Sequence, residues 1–416
     1  MTDLDATQEP EQPSDPTLGE AAPAYSEVVA QLAGATEGVA STGAIADWRE
    51  ASGGKLAVVV GDAGVGSLAT LYGAISEAVH VSDRHAHRWR ERIRMVGHPL
   101  EPSRFAGAVG AEAWDGPAQT SIYAAAARVA SAGAIVLEAQ SGSAFWDDPL
   151  TADLVMVANG DDAGRLSEQL ALSLSTSSAV FMAPQRESIA DAVREVAGQA
   201  GASLHEVATE CKLGKIQETA DSQKFTIETS TATGGGRFDV ELPAAGAHQR
   251  TNFAAALLAA GEVEPPQIGL GLKTLRMPLR FESIKTSPWV IVDGAASRPA
   301  YRALVRTVEA VLDPRGLLVL ATVDGASDLG MLAQTVSDLS GEARIAYREA
   351  DRVAADELAE RLRERRVGVQ LAGAPGPALD QMMSGAGSKD TVLMFGSRRA
   401  TSEARGYLLG LEEDPR

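Results

Sequence analysis

The sequence predicts an α/β protein of two parallel-sheet domains, and three observations predict it. Residues 55–60, Lys-Leu-Ala-Val-Val-Val, form a short β-branched apolar run that leads through a glycine-rich turn at 61–67 into a helical pattern at Leu68, Leu71, Ile75 and Val79. The last third alternates apolar runs (289–292, 317–320, 343–347, 367–371, 392–395) with helical patterns (301–312, 329–339, 354–362, 402–409), the rhythm of a mostly parallel sheet. Between these regions, 224–229 and 237–242 read as strands separated by Thr-Gly-rich turns, as in an antiparallel insertion. A chain of 416 residues is long enough for two or three domains of roughly 100–200 residues each.

The first element is a tail. Residues 1–24 are rich in Pro, Glu, Asp and Thr and hold too little apolar surface to offset chain entropy, so they are expected to be disordered. Nine acidic residues and no basic one precede Arg49, within a net charge of −19 from 37 Lys plus Arg against 56 Asp plus Glu. That balance excludes a generic nucleic-acid binder, which needs a basic face to release counterions. No stretch approaches the ~18 apolar residues of a membrane span, and the N-terminus lacks a basic start and apolar run, so a cytoplasmic location is expected. Cys211 is the single cysteine, which excludes an intramolecular disulfide and a cysteine-clustered zinc site. The segment from Tyr25 to Trp48 is loosely helical and opens an N-terminal domain expected over 25–262.

The turn Gly61-Asp62-Ala63-Gly64-Val65-Gly66-Ser67 has the strand-before, helix-after context of a phosphate loop, in which bare amides and a helix N-terminus point at an anion. Val65 stands where such a loop carries its lysine, and Asp62 adds a negative charge near the phosphate position. The loop reads either as a residual nucleotide site through Gly61, Gly64, Gly66 and Ser67, or as a glycine turn that packs a helix closely on its strand. Five arginines then fall between Arg84 and Arg94, a positive patch on an acidic protein. His85, Arg88 and Arg92 are its candidate contacts for an anionic ligand, and a solvated charged face is the alternative.

The order of these segments resembles the folylpolyglutamate and dihydrofolate synthases of the Mur ligase superfamily. Glu91-Arg92-Ile93-Arg94-Met95-Val96-Gly97-His98-Pro99-Leu100 resembles their E-R-I-x-x-x-G-x-P-I segment, with His85 on the family's histidine. Ile135-Val136-Leu137-Glu138 resembles the strand ending in a magnesium-binding glutamate, and Gly246-Ala247-His248-Gln249-Arg250-Thr251-Asn252 the G-x-H-Q-x-x-N helix start. Met277-Pro278-Leu279-Arg280-Phe281-Glu282 resembles the P-G-R-x-E linker whose arginine contacts ATP phosphates. Val290-Ile291-Val292-Asp293-Gly294-Ala295 resembles the segment whose aspartate holds the ribose, and residues 393–397 the terminal strand and G-S turn. The resemblance implies a linker over 263–275 and a Rossmann-like C-terminal Mur-ligase domain over 276–416. It further implies Arg280 and Asp293 as nucleotide contacts, Ser67 and Glu138 as metal ligands if a metal binds, and His248 either at a domain-interface contact or in catalysis.

Departures from the family pattern bear on function. The loop lysine is Val65, the segment expected to carry a carbamylated lysine runs Ser173 to Val180 without one, and the phosphate-facing histidine and asparagine after Asp293 are Ala296 and Ser297. Amide ligation through an acyl phosphate needs the γ-phosphoryl held while its charge redistributes, and losing one such electrostatic donor costs roughly 10²–10³ in rate. The expectation is a catalytically degenerate folylpolyglutamate synthase-like protein, without an assured cofactor, that binds an anionic small molecule or docks a protein partner. The alternative is an active divergent Mg-ATP-dependent amide ligase in which Arg84, Arg88, Arg280 or Arg298 replaces the missing cations.

Overall fold

The computed structural model describes residues 25–33, 41–82, 92–96, 98–109, 118–130, 133–140, 150–230 and 235–411. The expected tail at 1–24 and the candidates His85 and Arg88 lie outside the described residues.

The N-terminal domain runs α1 (Tyr25–Ala33), α2 (Gly43–Ser52), β1 (Lys55–Gly61), α3 (Val65–Ser76), β2 (Val79–Val81), β3 (Ile93–Met95), β4 (His98–Pro99), α4 (Pro102–Val109), α5 (Ala118–Ala130), β5 (Ala134–Gln140), β6 (Leu154–Val157), α6 (Ala163–Ser173), β7 (Ala179–Met182), α7 (Glu187–Ala200) and β8 (Ser203–Glu206). Its eight strands form one sheet in the order β4-β3-β2-β5-β1-β6-β7-β8, parallel from β2 to β8, with β3 and β4 added antiparallel at one edge. After α8 (Val207–Glu210), the strands β9 (Cys211–Glu218), β10 (Gln223–Thr229) and β11 (Gly236–Leu242) make the antiparallel insertion that the turn pattern predicts, with β9 in addition. Then follow α9 (Ala247–Ala260) and α10 (Pro265–Thr274).

β1 shows why its run is apolar without alternation. Leu56, Val58 and Val60 enter one core with Phe105 and Ile122, while Ala57 and Val59 enter a second with Leu68, Leu71 and Phe253, and all five strand residues are at most 1% exposed. A parallel strand covered on both faces needs this composition. α3 ends at Ser76, short of the Val79 expected from periodicity, because Glu77 turns left-handed (φ 58°) and Val79 joins the sheet.

Over 263–275, where a linker is expected, the chain forms the helix α10, packed on α3. Pro265 and Pro266 sit in its first turn, where a missing N–H costs no hydrogen bond. The approach is close enough that a Cβ on Gly271 would stand 2.2 Å from the Ala74 carbonyl oxygen.

The C-terminal domain contains β12 (Glu282–Thr286), β13 (Trp289–Asp293), α11 (Arg298–Val311), β14 (Leu317–Thr322), α12 (Leu329–Leu339), β15 (Glu342–Ala346), α13 (Arg352–Glu364), β16 (Gly368–Gly373), α14 (Pro375–Gly385), β17 (Thr391–Gly396) and α15 (Arg398–Leu408). Its sheet order is β12-β13-β17-β14-β15-β16, parallel except for the β12–β13 hairpin. Its core splits over the two faces of that sheet. Among the described residues no helix is long and apolar enough to cross a membrane.

Candidate functional site

The glycine loop after β1 sits at the carboxyl end of the parallel sheet, where open α/β sheets bind ligands. Gly61 takes φ 141° and Gly64 φ 78°, conformations that strain any residue with a Cβ. The loop is pinned to the strand beside it: the Asp62 and Ala63 amides donate to the Asn159 carbonyl at 2.9 and 3.0 Å. α3 therefore starts at Val65 with its N-terminal amides at the mouth of a cleft.

Asp62 does not place its charge as the sequence suggests. Its carboxylate accepts hydrogen bonds from the Asp161 and Asp162 amides at 2.6 and 3.3 Å and lies 3.8 Å from an Arg165 guanidinium nitrogen. It ties the loop at 159–162 to the glycine loop, and so its negative charge is met by amides and an arginine. Val65 is 1% exposed and belongs to the core with Leu68 and Leu71, so no cation stands at the loop-lysine position.

Arg280 supplies a cation from the other domain. A Cβ built on Gly66 would lie 2.8 Å from Arg280 Nη2 and 3.2 and 3.4 Å from the two Glu138 carboxylate oxygens. The turn that presents Arg280 is unusual: Leu279 (φ 58°) and Phe281 (φ 53°), both with side chains, flank it in the left-handed region. Such backbone costs of order 1–3 kcal/mol per residue and persists where surrounding bonds hold it. Here the Phe281 amide donates to Asp293 Oδ2 at 2.8 Å, the Leu279 amide to Glu282 Oε2 at 3.0 Å, and the Gly294 amide to the Leu279 carbonyl at 2.9 Å. Glu282 is held in turn by Arg405 at 2.7 and 3.0 Å.

Asp293 thus uses both carboxylate oxygens on backbone amides, the second on Ala295 at 2.7 Å. Burial pushes its carboxyl up to about 6, against Arg280, those amides and Arg398, which pull it down. It still lines the cleft, beside Gly294, Ala295 and Arg398.

Glu138, at the end of β5, is buried (6% exposed) and accepts a hydrogen bond from His80 Nε2 at 2.7 Å. His80 is 2% exposed on β2, and burial holds its imidazole below the ordinary histidine range despite Glu138, with Arg94 and Arg280 pushing the same way as burial. A neutral ring donating from Nε2 is the form this environment favours. Nδ1 stands 3.5 Å from Thr70 Oγ1, which donates to the Gly66 carbonyl at 2.6 Å, so the His80 contacts return to the glycine loop.

From α9, His248, Thr251 and Asn252 face the same cleft. Gly246 before them takes φ 98°, and a Cβ there would come within 2.5 Å of the His248 ring and 2.6 Å of Thr307. His248 is half-buried, its imidazole lowered to about 4 by desolvation first, with Glu218 opposing and Arg280 and Arg250 assisting. Asn252 is 4% exposed, its Nδ2 has no hydrogen-bond partner among the described residues, and it stands 3.2 Å from the Gly64 Cβ position. A buried donor aimed at a glycine loop lacks only an acceptor.

These groups line two adjoining spaces. The larger, about 830 Å³, lies between the domains and includes the glycine loop from Ala63 to Ser67, Asn159, His248, Asn252, Asp293 and Arg398. The smaller, about 510 Å³, holds Thr70, His80, Ser82, Arg94, Glu138, Ser402 and Arg405. Gly66, Leu279 and Arg280 line both.

Of the residues singled out from sequence, the structure brings Gly64, Gly66, Ser67, Glu138, His248, Arg280 and Asp293 around this cleft, whereas Gly61 lines neither space and packs against Ala158 and Asn159. Arg92 bonds Gln119 of α5 at 3.3 Å and lines neither space; its neighbour Arg94 does. Arg298 is exposed at the start of α11 and lines neither space. His80, Asn252, Arg398, Ser402 and Arg405 join the site without having been candidates. The only sequence signal for His80 was a histidine in an apolar strand.

The cleft fits a nucleoside phosphate: the α3 N-terminal amides, the positive-φ Gly64, an Asn252 amide without a partner among the described residues, and arginines converge on it. Magnesium fits less well. Ser67 is 1% exposed and accepts from Gln249 Nε2 at 3.3 Å, Glu138 is taken by His80, and Arg280 stands over Gly66. Among the described residues no group of three or more His, Cys, Asp or Glu is placed to hold a metal.

Two parallel-sheet domains, with a glycine loop in one and an arginine turn in the other, meet over a cleft, an architecture shared with solved enzymes of the Mur-ligase fold. Within that class the fold is that of the folylpolyglutamate synthases. Mycobacterium tuberculosis folylpolyglutamate synthase, solved with ADP and AMPPCP, superposes with a TM-score of 0.76 at 18% identity, over 90% of this chain and 96% of that one. Escherichia coli FolC in complex with ADP gives 0.71 at 19% identity, over 93% and 98%. The Thermotoga maritima folylpolyglutamate synthase gives 0.71 at 14%, over 92% and 96%. A probable bifunctional folylpolyglutamate synthase/dihydropteroate synthase of Haloferax volcanii is 33% identical over 188 residues, 43% of this chain and about a fifth (22%) of that protein's length. No family model matches the chain.

Proposed function

We propose that this chain is a folylpolyglutamate synthase-like protein that binds a nucleoside di- or triphosphate in the interdomain cleft and has lost amide ligation, serving as a binding or regulatory protein. One observation carries the reading: the cation-free glycine loop, with Val65 in the core, is covered by Arg280 while Glu138 is bonded to His80. A binding site needs amides, a donor such as Asn252 and a positive charge. Ligation also needs charge placed on the transferring phosphoryl group, and one arginine in a turn braced by Asp293 and Glu282 is a fixed substitute for several groups. The likeness to structures solved with ADP supports the nucleotide.

The test is calorimetric titration with ADP and with ATP, followed by phosphate release in the presence of a reduced folate and glutamate. Saturable binding with release no faster than an enzyme-free control is the expected result; release that depends on folate and glutamate overturns the loss of ligation. A second reading, an active divergent ligase, draws on the arginines facing the cleft: Arg94, Arg280 and Arg398 present positive charge from three elements. It predicts that dependent release.

A further inference from the structure

The groups that would be asked to coordinate a magnesium ion beside this loop are committed to other partners. Magnesium demands near-octahedral oxygen ligands at ~2.0–2.1 Å and gives up its waters reluctantly. The Ser67 hydroxyl is buried and accepts from Gln249, and the Glu138 carboxylate accepts from buried His80 at 2.7 Å. The space between them, above Gly66, is reached by Arg280 Nη2 and by both Glu138 oxygens, which approach the same point at 2.8, 3.2 and 3.4 Å. A divalent ion there would meet the Arg280 guanidinium in the same space and would find Glu138 Oε1 already accepting from His80.

We infer that the cleft holds nucleotide phosphates without a divalent ion, with Arg280 carrying the positive charge over the glycine loop. The inference rests on the nucleotide reading above. Glu138 is then a wall of the phosphate site and not a metal ligand. His80 holds it from behind, and the other ring nitrogen lies 3.5 Å from Thr70 Oγ1, whose proton goes to the Gly66 carbonyl. The strained turn at 279–281 holds the Arg280 backbone at the mouth of the cleft, from which its side chain reaches the glycine loop.

The experiment is an ADP titration of the full chain at fixed ionic strength, once with excess EDTA and once with millimolar magnesium. Affinities that agree within about threefold are expected, under half of the 1.4 kcal/mol that a tenfold change represents. Affinity ten times or more tighter with magnesium overturns the inference and leaves the nucleotide reading standing. Failure to bind in both conditions overturns the two together. Glu138→Gln, which keeps the side-chain shape, should leave ADP affinity equal in the two conditions; weakening confined to the magnesium condition would identify Glu138 as a metal ligand and overturn the inference. Arg280→Gln should abolish binding in EDTA, and Arg280→Lys should recover part of it. Loss in EDTA that lysine does not recover at all would place Arg280 in a structural role and overturn its assignment.

Discussion

A methyl group on Gly66 separates the stability of the fold from the quality of the phosphate site. Gly66→Ala puts a Cβ 2.8 Å from Arg280 Nη2 and 3.2 Å from Glu138 Oε1. Glu138 is bonded to buried His80, whereas the contacting atom of Arg280 is the far end of a flexible side chain, so the guanidinium is what moves. The fold itself should tolerate the change, since alanine is up to about 1 kcal/mol better than glycine within a helix. Binding should suffer, because a hydrogen bond to a charged group is worth about 1.5–3 kcal/mol, or roughly a tenfold to hundredfold change in affinity. ADP calorimetry run beside thermal melts of the ligand-free protein reads both effects. A melting midpoint held or raised, with affinity down by that factor, is expected. Unchanged affinity in a folded Gly66→Ala protein would refute the placement of Arg280 on the phosphates.

Further outcomes follow from other contacts. Gly271→Ala brings a Cβ to 2.2 Å from the Ala74 backbone, an overpacking that should cost about 1–3 kcal/mol in urea denaturation if α10 is docked on α3; a free linker would show no change. The lowered imidazole of His248 makes a pH prediction. Its folded value of about 4 lies below the ordinary 6.5, so its contribution is fully present above pH 6.5 and is lost as pH falls through 4. The difference amounts to at most about 3 kcal/mol, reduced by solvent reaching the cleft. His248→Gln should therefore flatten stability between pH 6.5 and 4, and an unchanged acid limb would contradict the assignment. Val65→Lys inserts a charge at a position 1% exposed and should lower the melting midpoint without producing folate-dependent phosphate release. Robust turnover in that variant would mean that the lysine alone was missing.

How far the sequence reveals the site depends on how local each feature is. The β1-loop-α3 unit is legible because an apolar run, glycines and helical spacing adjoin one another, and the C-terminal alternation of strands and helices is legible for the same reason. Within the linker expected over 263–275, Pro265, Pro266, Gly269 and Gly271 do not announce the helix that forms there: the prolines start it and Gly271 permits its close approach to Ala74. Asp62 looked like a charge aimed at the ligand because the loop at 159–162, a hundred residues away, could not be seen supplying its amides. The His80–Glu138 bond spans 58 positions and arises from the register of β2 on β5, where His80 pairs with Val136. Arg94 rather than Arg92 reaches the site for a similar reason: strand pairing decides which arginine of a basic run turns inward. Asn252 illustrates the opposite case, a residue within a matched helix start whose role shows only in its missing hydrogen-bond partner.

The claim that the cleft binds a nucleotide without ligating is tested most directly by a single-turnover rapid-quench measurement with γ-labelled ATP, the protein in excess, and a reduced folate and glutamate present. The account predicts that ATP is bound and recovered intact, with labelled phosphate no higher than in the absence of protein. A burst of labelled phosphate that requires both the folate and glutamate would contradict it.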